Sequence, residues 1–109
     1  MATIKYNGAS LDLVLSPELH HGDDEVYGLW SYSNMQIELS AALSHTARSR
    51  VLWHELTHAM LDFAGVSLTS EQEEQICHTL GNGIPGLLDN NHWLRSTKTI
   101  NHKLEDKLC

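Results

Sequence analysis

In the first part of the chain, apolar and polar positions alternate, which is the spacing of strands whose side chains point to two faces. Residues 3–6 and 9–15 are two such segments, and an Asn-Gly pair lies between them. Asn-Gly between alternating segments is the strongest short signal for a tight β-hairpin. After a polar interval, residues 26–32 and 35–39 predict two more strands. This half of the chain therefore predicts a small, mostly antiparallel sheet.

In the second half, the apolar positions recur at helical spacing, and residues 48–64 contain no Gly or Pro. Gly65 follows, as a glycine commonly follows the last turn of a helix. Thr69 or Ser70 is the expected N-cap of a second helix, because acidic residues fill the first turn after it. This second helix is predicted to end near Gly81.

The last part of the chain contains residues that interrupt helices. Gly81 and Pro85, together with two further glycines, predict a break or a kink. Residues 87–94 then predict a last short helix. Beyond Arg95 the apolar content falls, so residues 95–109 are expected to form a flexible tail.

Length and composition fit a single domain. The chain has 109 residues, of which 41% are hydrophobic and 19% are charged. This is enough apolar material for one modest core, and the composition differs from that of a disordered chain. We therefore expect one domain over residues 1–94, of the α+β class, in which the small sheet precedes two helices.

The net charge of −7 is unevenly distributed, because four of the seven basic residues lie in the last fifteen positions. The acidic remainder makes nucleic acid a poor partner, since phosphate binding needs a basic surface. Two cysteines are too few for a disulfide-stapled secreted domain. No stretch approaches the roughly 20 apolar residues of a membrane span, and the first residues do not resemble a secretory leader. We therefore expect a cytoplasmic protein with no membrane partner.

The segment His54-Glu55-Leu56-Thr57-His58 matches the pattern HExxH and lies in the most convincing predicted helix. Residues four apart lie one turn above each other, so both imidazoles project from one face of the helix. Two imidazole nitrogens at this spacing suit Zn²⁺, and Glu55 beside them can act as a general base on water. The pattern also arises by chance, but its place in an amphipathic helix after a sheet favours a zinc site.

A hydrolytic zinc usually has three protein ligands, so a third is expected farther along the chain. Glu71, Glu73 and Glu74 open the next helix and are the candidates. Glu73 shares a helical stripe with Ile76 and Leu80, whereas Glu74 shares one with Cys77 and His78. Periodicity alone does not choose between Glu73 and Glu74.

Several other residues are accessory candidates for the same site. Asp62 extends the histidine stripe by one turn and could support a ligand or cap the helix. His45 precedes the motif and His78 follows Glu74, so either could assist, although most histidines of this kind are surface residues. Tyr27 and Tyr32 flank a strand that could line a cleft, where a hydroxyl can stabilise an oxyanion. Packing is the alternative role for both tyrosines.

The motif and its surroundings resemble small metallopeptidase-like proteins of bacteriophage and prophage genomes, which are similar to ImmA/IrrE-type peptidases. The resemblance rests on residues 51–60, on Glu73-Glu74-Gln75-Ile76 and on residues 87–91. It covers residues 3–94, and its specific part is the HExxH segment. It implies a minimal zincin-like fold with a gluzincin-like site, in which Glu74 is the third ligand. The helix-turn-helix domain of the longer ImmA/IrrE-type proteins is missing from this sequence.

Two functions are expected from these features. The first is a zinc peptidase that hydrolyses a protein or peptide through a metal-activated water, with Glu55 as its base. The alternative is a non-catalytic phage or prophage assembly or interaction protein, in which zinc staples the two helices. A fourth protein ligand such as His78 or Asp62 would favour the alternative, because structural zinc sites are usually closed. The sequence leaves the oligomeric state open.

Overall fold

The structure, a computed structural model, describes residues 2–108 of the chain and the side chains of residues 2–105. Within these residues, six strands precede three α-helices. The strands are β1 Ala2–Tyr6, β2 Ala9–Ser16, β3 His20–His21, β4 Asp24–Glu25, β5 Gly28–Ser31 and β6 Gln36–Ser40. The helices are α1 His45–Ala64, α2 Ser70–Asn90 and α3 Thr97–Leu108, with a 3₁₀ helix at His92–Arg95 between the last two.

Four strands form the main sheet, in the order β1-β2-β6-β5. The pairs β1–β2 and β5–β6 are antiparallel, whereas β2 and β6 are parallel. The predicted hairpin is confirmed, and its turn has positive φ angles of 44° at Asn7 and 85° at Gly8. A tight turn of this kind requires positive φ at both central residues, which Asn and Gly tolerate best. The α+β class with a mostly antiparallel sheet is thus confirmed.

The polar interval before β5 contains a small second ribbon. Strands β3 and β4 pair antiparallel, with His20 opposite Glu25 and His21 opposite Asp24. Gly22 has a φ of 65° in the connection between them. The sequence predicts only irregular turns here, because strands of two exposed residues carry no alternation to detect.

The core lies between the main sheet and α1. Its fully buried members are Leu11, Ile37, Leu39 and Ala59. Ile37 and Leu39 are two residues apart on β6, so both point to the face that α1 covers. Partly buried apolar residues of β1, β5 and α1 complete this layer. Burial of this apolar face is what fixes α1 across the sheet.

The ends of α1 follow from local sequence. The side chain of Ser44 accepts a hydrogen bond from the backbone N–H of Ala47 at 3.2 Å, as an N-cap does. Gly65 ends the helix with a φ of 67°, and its N–H donates to the carbonyl of Asp62. Left-handed backbone favours glycine at this position, so the predicted helix end is confirmed.

Helix α2 begins as predicted but ends later than predicted. Thr69 and Gln72 form a capping box at its start. The helix then runs through Gly81 and Pro85 to Asn90, so the expected end near Gly81 is wrong. Gly81 is buried against α1, where an added Cβ would lie 2.9 Å from the Cβ of His54. This glycine allows two helices to approach, and that packing outweighs its low helix propensity.

The C-terminal residues also differ from the expectation. Residues 87–90 belong to α2, and α3 lies in the segment for which the sequence predicts a flexible tail. Ser96 accepts a hydrogen bond from the backbone N–H of Thr99 at 3.1 Å, which satisfies a free donor at the start of α3. The Thr99 hydroxyl donates to the carbonyl of Trp93, which attaches α3 to the 3₁₀ helix. These two hydrogen bonds stabilise the start of a helix in a segment whose low apolar content predicts a flexible tail.

Helices α1 and α2 contain 20 and 21 residues, a length that can cross a bilayer. Both carry many polar and charged side chains. Among the described residues, none of the helices combines the length and the apolar content that a membrane span requires.

Candidate metal centre

The two histidines of the motif lie side by side on α1, with ring centroids 5.1 Å apart. The Nε2 atom of His54 is 3.3 Å from Glu74 Oε2, and the Nε2 atom of His58 is 2.8 Å from Glu74 Oε1. One candidate ligand atom from each of these three residues lies within 4.8 Å of the others. His54, His58 and Glu74 therefore form a group that could hold a metal ion.

The packing of α2 on α1 brings Glu74 to the histidines. The short connection 65–69 joins the two helices, and α2 packs extensively against α1. Gly81 lies against His54, and the fully buried Cys77 lies one turn before it on the same side of α2. Glu74 precedes Cys77 by three residues, so it projects from that side of the helix as well.

Glu73 contacts a different nitrogen of His58 from the one that Glu74 contacts. Its Oε2 atom is 2.6 Å from the Nδ1 atom of His58. A neutral imidazole that donates through Nδ1–H keeps the lone pair of Nε2 for a metal. Glu73 therefore lies on the side of His58 away from the candidate metal position, whereas Glu74 faces both Nε2 atoms. Geometry thus separates two residues that periodicity leaves equivalent.

Glu55 is the most buried carboxylate of the centre, with a side chain that is 11% exposed. Its Oε2 atom is 4.0 Å from His54 Nε2, and it is not a member of the three-residue group. Burial raises the pKa of Glu55, and the charges of His58 and His54 partly oppose this rise. The strand β5 leaves room for the side chain because an added Cβ at Gly28 would lie 3.0 Å from Glu55 Cγ.

Three accessory candidates lie away from the metal centre. Asp62 accepts a hydrogen bond from the indole N–H of Trp30 at 2.6 Å, so it ties α1 to β5. The ring of Tyr32 packs against Trp30 and Phe63, with centroids 6.3 Å and 6.0 Å away. His45, the first residue of α1, lines a separate cavity that α1 forms with β2. The structure does not bring these three side chains to the candidate ligands.

The two remaining candidates line the same cleft as the metal centre. His78 projects from α2, and its Nε2 atom is 3.3 Å from Nδ2 of Asn82. Tyr27 precedes β5 and is 64% exposed. Neither belongs to the three-residue group, so both are candidates for contact with a ligand in the cleft.

The cleft itself lies between β5, α1 and α2 and has a volume of about 770 Å³. Its lining includes five residues that are not site candidates from the sequence, namely His21, Gly28, Arg50, Gly81 and Asn82. An isolated glycine within a strand or helix pattern can indicate close approach of another backbone or side chain, which is a signal for Gly28 and Gly81. Arg50 lies four residues before His54, and helical spacing would have placed it near the motif.

No protein-family model matches this chain, and neither a similar curated protein nor a similar solved structure was found. The fold class and the group that could hold a metal rest on the chain's own structure. The resemblance to ImmA/IrrE-type peptidases stays a prediction from the motif and its surroundings.

Proposed function

We propose that this protein is a zinc-dependent peptidase, in which His54, His58 and Glu74 hold the metal and Glu55 is the general base. The observation that carries the proposal is the separation of roles among the carboxylates. Glu74 faces the Nε2 atoms of His54 and His58, and Glu73 contacts the Nδ1 atom of His58. Glu55 lies beside this group without joining it. A carboxylate such as Glu55, which lies beside the candidate ligands without joining them, is what a hydrolytic centre needs, whereas a structural site has no need of a base.

The donor set supports zinc as the metal. Two imidazole nitrogens and one carboxylate oxygen are typical ligands of catalytic Zn²⁺, whereas Ca²⁺ and Mg²⁺ prefer oxygen ligands alone. His54, His58 and Glu74 would hold the metal and would leave it accessible to water or substrate. Zinc, when bound, acts as a Lewis acid and lowers the pKa of a coordinated water to about 7.

Glu55 is suited to accept the proton of the attacking water. Burial raises the pKa of Glu55 above the usual value of a glutamate, and a higher pKa makes the carboxylate a stronger base. Its position on α1 places the carboxylate beside the candidate ligands, and the missing side chain of Gly28 leaves room for it. Glu55 thus takes the proton and can return it to the departing amine.

The alternative, a non-catalytic protein stapled by zinc, has less support. It needs a fourth protein ligand, and the described residues contribute three to the group. Asp62 is bonded to Trp30, and His78 lies beside Asn82. The open cleft next to the ligands also suits a substrate better than a closed structural site does.

The proposed substrate is a protein or peptide, and the proposed compartment is the cytoplasm. A net charge of −7 argues against nucleic acid as the partner. Two cysteines fit a reducing compartment. A bacteriophage or prophage origin is proposed on the sequence resemblance alone.

The test compares the zinc-loaded parent protein with Glu55→Gln on casein and on a peptide library at neutral pH. Glu55→Gln keeps the size of the side chain and removes its basicity, so zinc content should stay and hydrolysis should fall by at least about 10²-fold. Glu71→Gln, in the exposed first turn of α2, is the control and should cut at the parent rate. Equal cleavage by the parent and by Glu55→Gln would refute the proposed base. Absence of any cleavage by the zinc-loaded parent would favour the structural alternative.

A further inference from the structure

The cleft has two chemically different parts. Among the described residues, its carboxylates are Glu55, Glu73 and Glu74, and all three belong to the metal centre. The remaining polar side chains of the α1–α2 wall are those of Arg50, His78 and Asn82. Each of these three carries nitrogen donors and none carries a negative charge. One part of the cleft can therefore bind a cation and the other an anion.

The contact between α1 and α2 places these donors in the same part of the cleft. An added Cβ at Gly81 would lie 3.0 Å from the backbone carbonyl oxygen of Arg50, so α2 passes directly against this turn of α1. Asn82 follows Gly81 in the chain, and its side-chain nitrogen is 3.3 Å from His78 Nε2. Arg50 on one helix and His78 and Asn82 on the other all line the cleft where these two turns meet.

Arg50 differs from the other two arginines of the chain. Arg95 forms an ion pair with Asp89 at 3.2 Å, and Arg48 donates to the carbonyl of Ala41 and lines the other cavity. For Arg50, no ion pair or hydrogen bond is found among the described residues, and it is exposed. Its guanidinium is therefore available to a ligand in the cleft.

We propose that Arg50, supported by His78 and Asn82, binds a carboxylate of the peptide substrate. This inference rests on the proposed peptidase function. A guanidinium offers a planar fork of donors that matches a carboxylate in a bidentate manner. The chain has a net charge of −7, which disfavours the binding of anions in general. Arg50 places a positive charge in the cleft close to the proposed metal ligands, so this part of the cleft can still attract an anionic group.

Helix geometry limits where the carboxylate lies in the substrate. Arg50 precedes His54 by four residues, which is about 6 Å along the helix axis. An extended peptide advances by about 3.3 Å per residue. Because the Arg50 side chain is long and can extend in either direction, the recognised carboxylate lies within a few residues of the scissile bond, either as an Asp or Glu side chain or as the free carboxyl terminus.

The test measures peptide binding, so it does not depend on turnover. The zinc-loaded Glu55→Gln protein is titrated into fluorescent peptide pools in which Asp and Glu, or Asn and Gln, occupy one position of otherwise random sequence. Each pool is made with a free and with an amidated carboxyl terminus. Fluorescence anisotropy should show at least about 10-fold tighter binding of pools with the recognised carboxylate, the scale of a charge-assisted hydrogen bond. Loss on amidation identifies the terminus, and loss on replacing Asp and Glu identifies the side chain.

In the Glu55→Gln protein, a second substitution Arg50→Gln should abolish this preference. Arg50→Lys in its place should keep part of the preference. Lys5→Gln on the exposed edge strand β1 is the matched control, and it should keep the full preference. A preference that survives Arg50→Gln, or pools that bind equally or not at all, would overturn the carboxylate site. A preference without any cleavage by the zinc-loaded parent would refute the peptidase and leave this site standing. Cleavage without a preference would support the peptidase and overturn the carboxylate site.

Discussion

Glu73 and Glu74 contact opposite nitrogens of one imidazole: Glu73 Oε2 is 2.6 Å from His58 Nδ1, and Glu74 Oε1 is 2.8 Å from His58 Nε2. The two side chains should therefore contribute to metal binding in different ways. Glu74 also reaches His54, so it acts on both histidines, whereas Glu73 acts through His58 alone.

The first prediction is a ranking of metal affinity among three alanine variants. Glu73→Ala should weaken zinc binding by about 10- to 100-fold, which is the usual effect of removing a group that orients a ligand. Glu74→Ala should weaken it more, because a ligand itself is lost. Glu71→Ala is the control and should bind as the parent does. Competitive titration against a chromophoric chelator gives the three constants, and a larger loss for Glu73 than for Glu74 would reverse the assignment.

The second prediction concerns the metal content of the parent protein. Protein purified without chelator should carry about one zinc per chain, because one group of three ligands is present among the described residues. His54→Ala and His58→Ala should each lose the metal. His92→Ala, outside the cleft, should keep it. Elemental analysis by mass spectrometry measures all four, and parent-level zinc in both motif variants would exclude this centre.

The sequence predicts those elements whose signals are local. The Asn7-Gly8 hairpin and the end of α1 at Gly65 depend on backbone conformations that few residues adopt, so the residue type itself carries the information. The two histidines share a face of α1 because helical spacing guarantees it. These parts of the fold and of the site need no knowledge of the other elements.

The features of the fold and of the candidate site that the sequence does not predict depend on contacts between elements. Gly81 has low helix propensity, and from the sequence it is expected to end α2. It does not end the helix, because it is buried against His54, where it allows α2 to pack closely on α1. The division between Glu73 and Glu74 depends on side-chain directions that a periodicity of 3.6 residues does not resolve. Arg50 enters the cleft because α2 crosses α1 at that turn, which no single segment specifies.

The third prediction uses two glycines of α2 that differ only in their surroundings. An added Cβ at Gly81 would meet His54 Cβ at 2.9 Å, whereas at Gly83 it would meet nothing within 4 Å. Gly81→Ala should therefore destabilise the fold by about 1–3 kcal/mol through overpacking, and it should weaken zinc binding because His54 must move. Gly83→Ala should stabilise the fold by about 0.5–1 kcal/mol, because alanine is the better helix former.

Urea denaturation of both glycine variants, followed by circular dichroism, measures these changes. The same protein samples can be used for the zinc titration. If Gly81→Ala were as stable as Gly83→Ala and bound zinc equally well, the close packing of α2 on His54 would be incorrect.

The last prediction concerns Cys77, whose side chain is fully buried. Burial raises the pKa of this thiol to about 12, and the negative charges of Glu73 and Glu74 act in the same direction. Because the thiolate is the reactive form, iodoacetamide at pH 8 should leave Cys77 unmodified in the folded protein and alkylate it in denaturant. The folded state binds this proton more tightly than the unfolded state, so the contribution of Cys77 to stability falls as the pH rises above about 9. Cys77→Ala should therefore show a smaller loss of stability between pH 8 and pH 10 than the parent. Peptide mapping measures the alkylation, and rapid modification of the Cys77 peptide in folded protein would show that α2 does not pack on α1 as described.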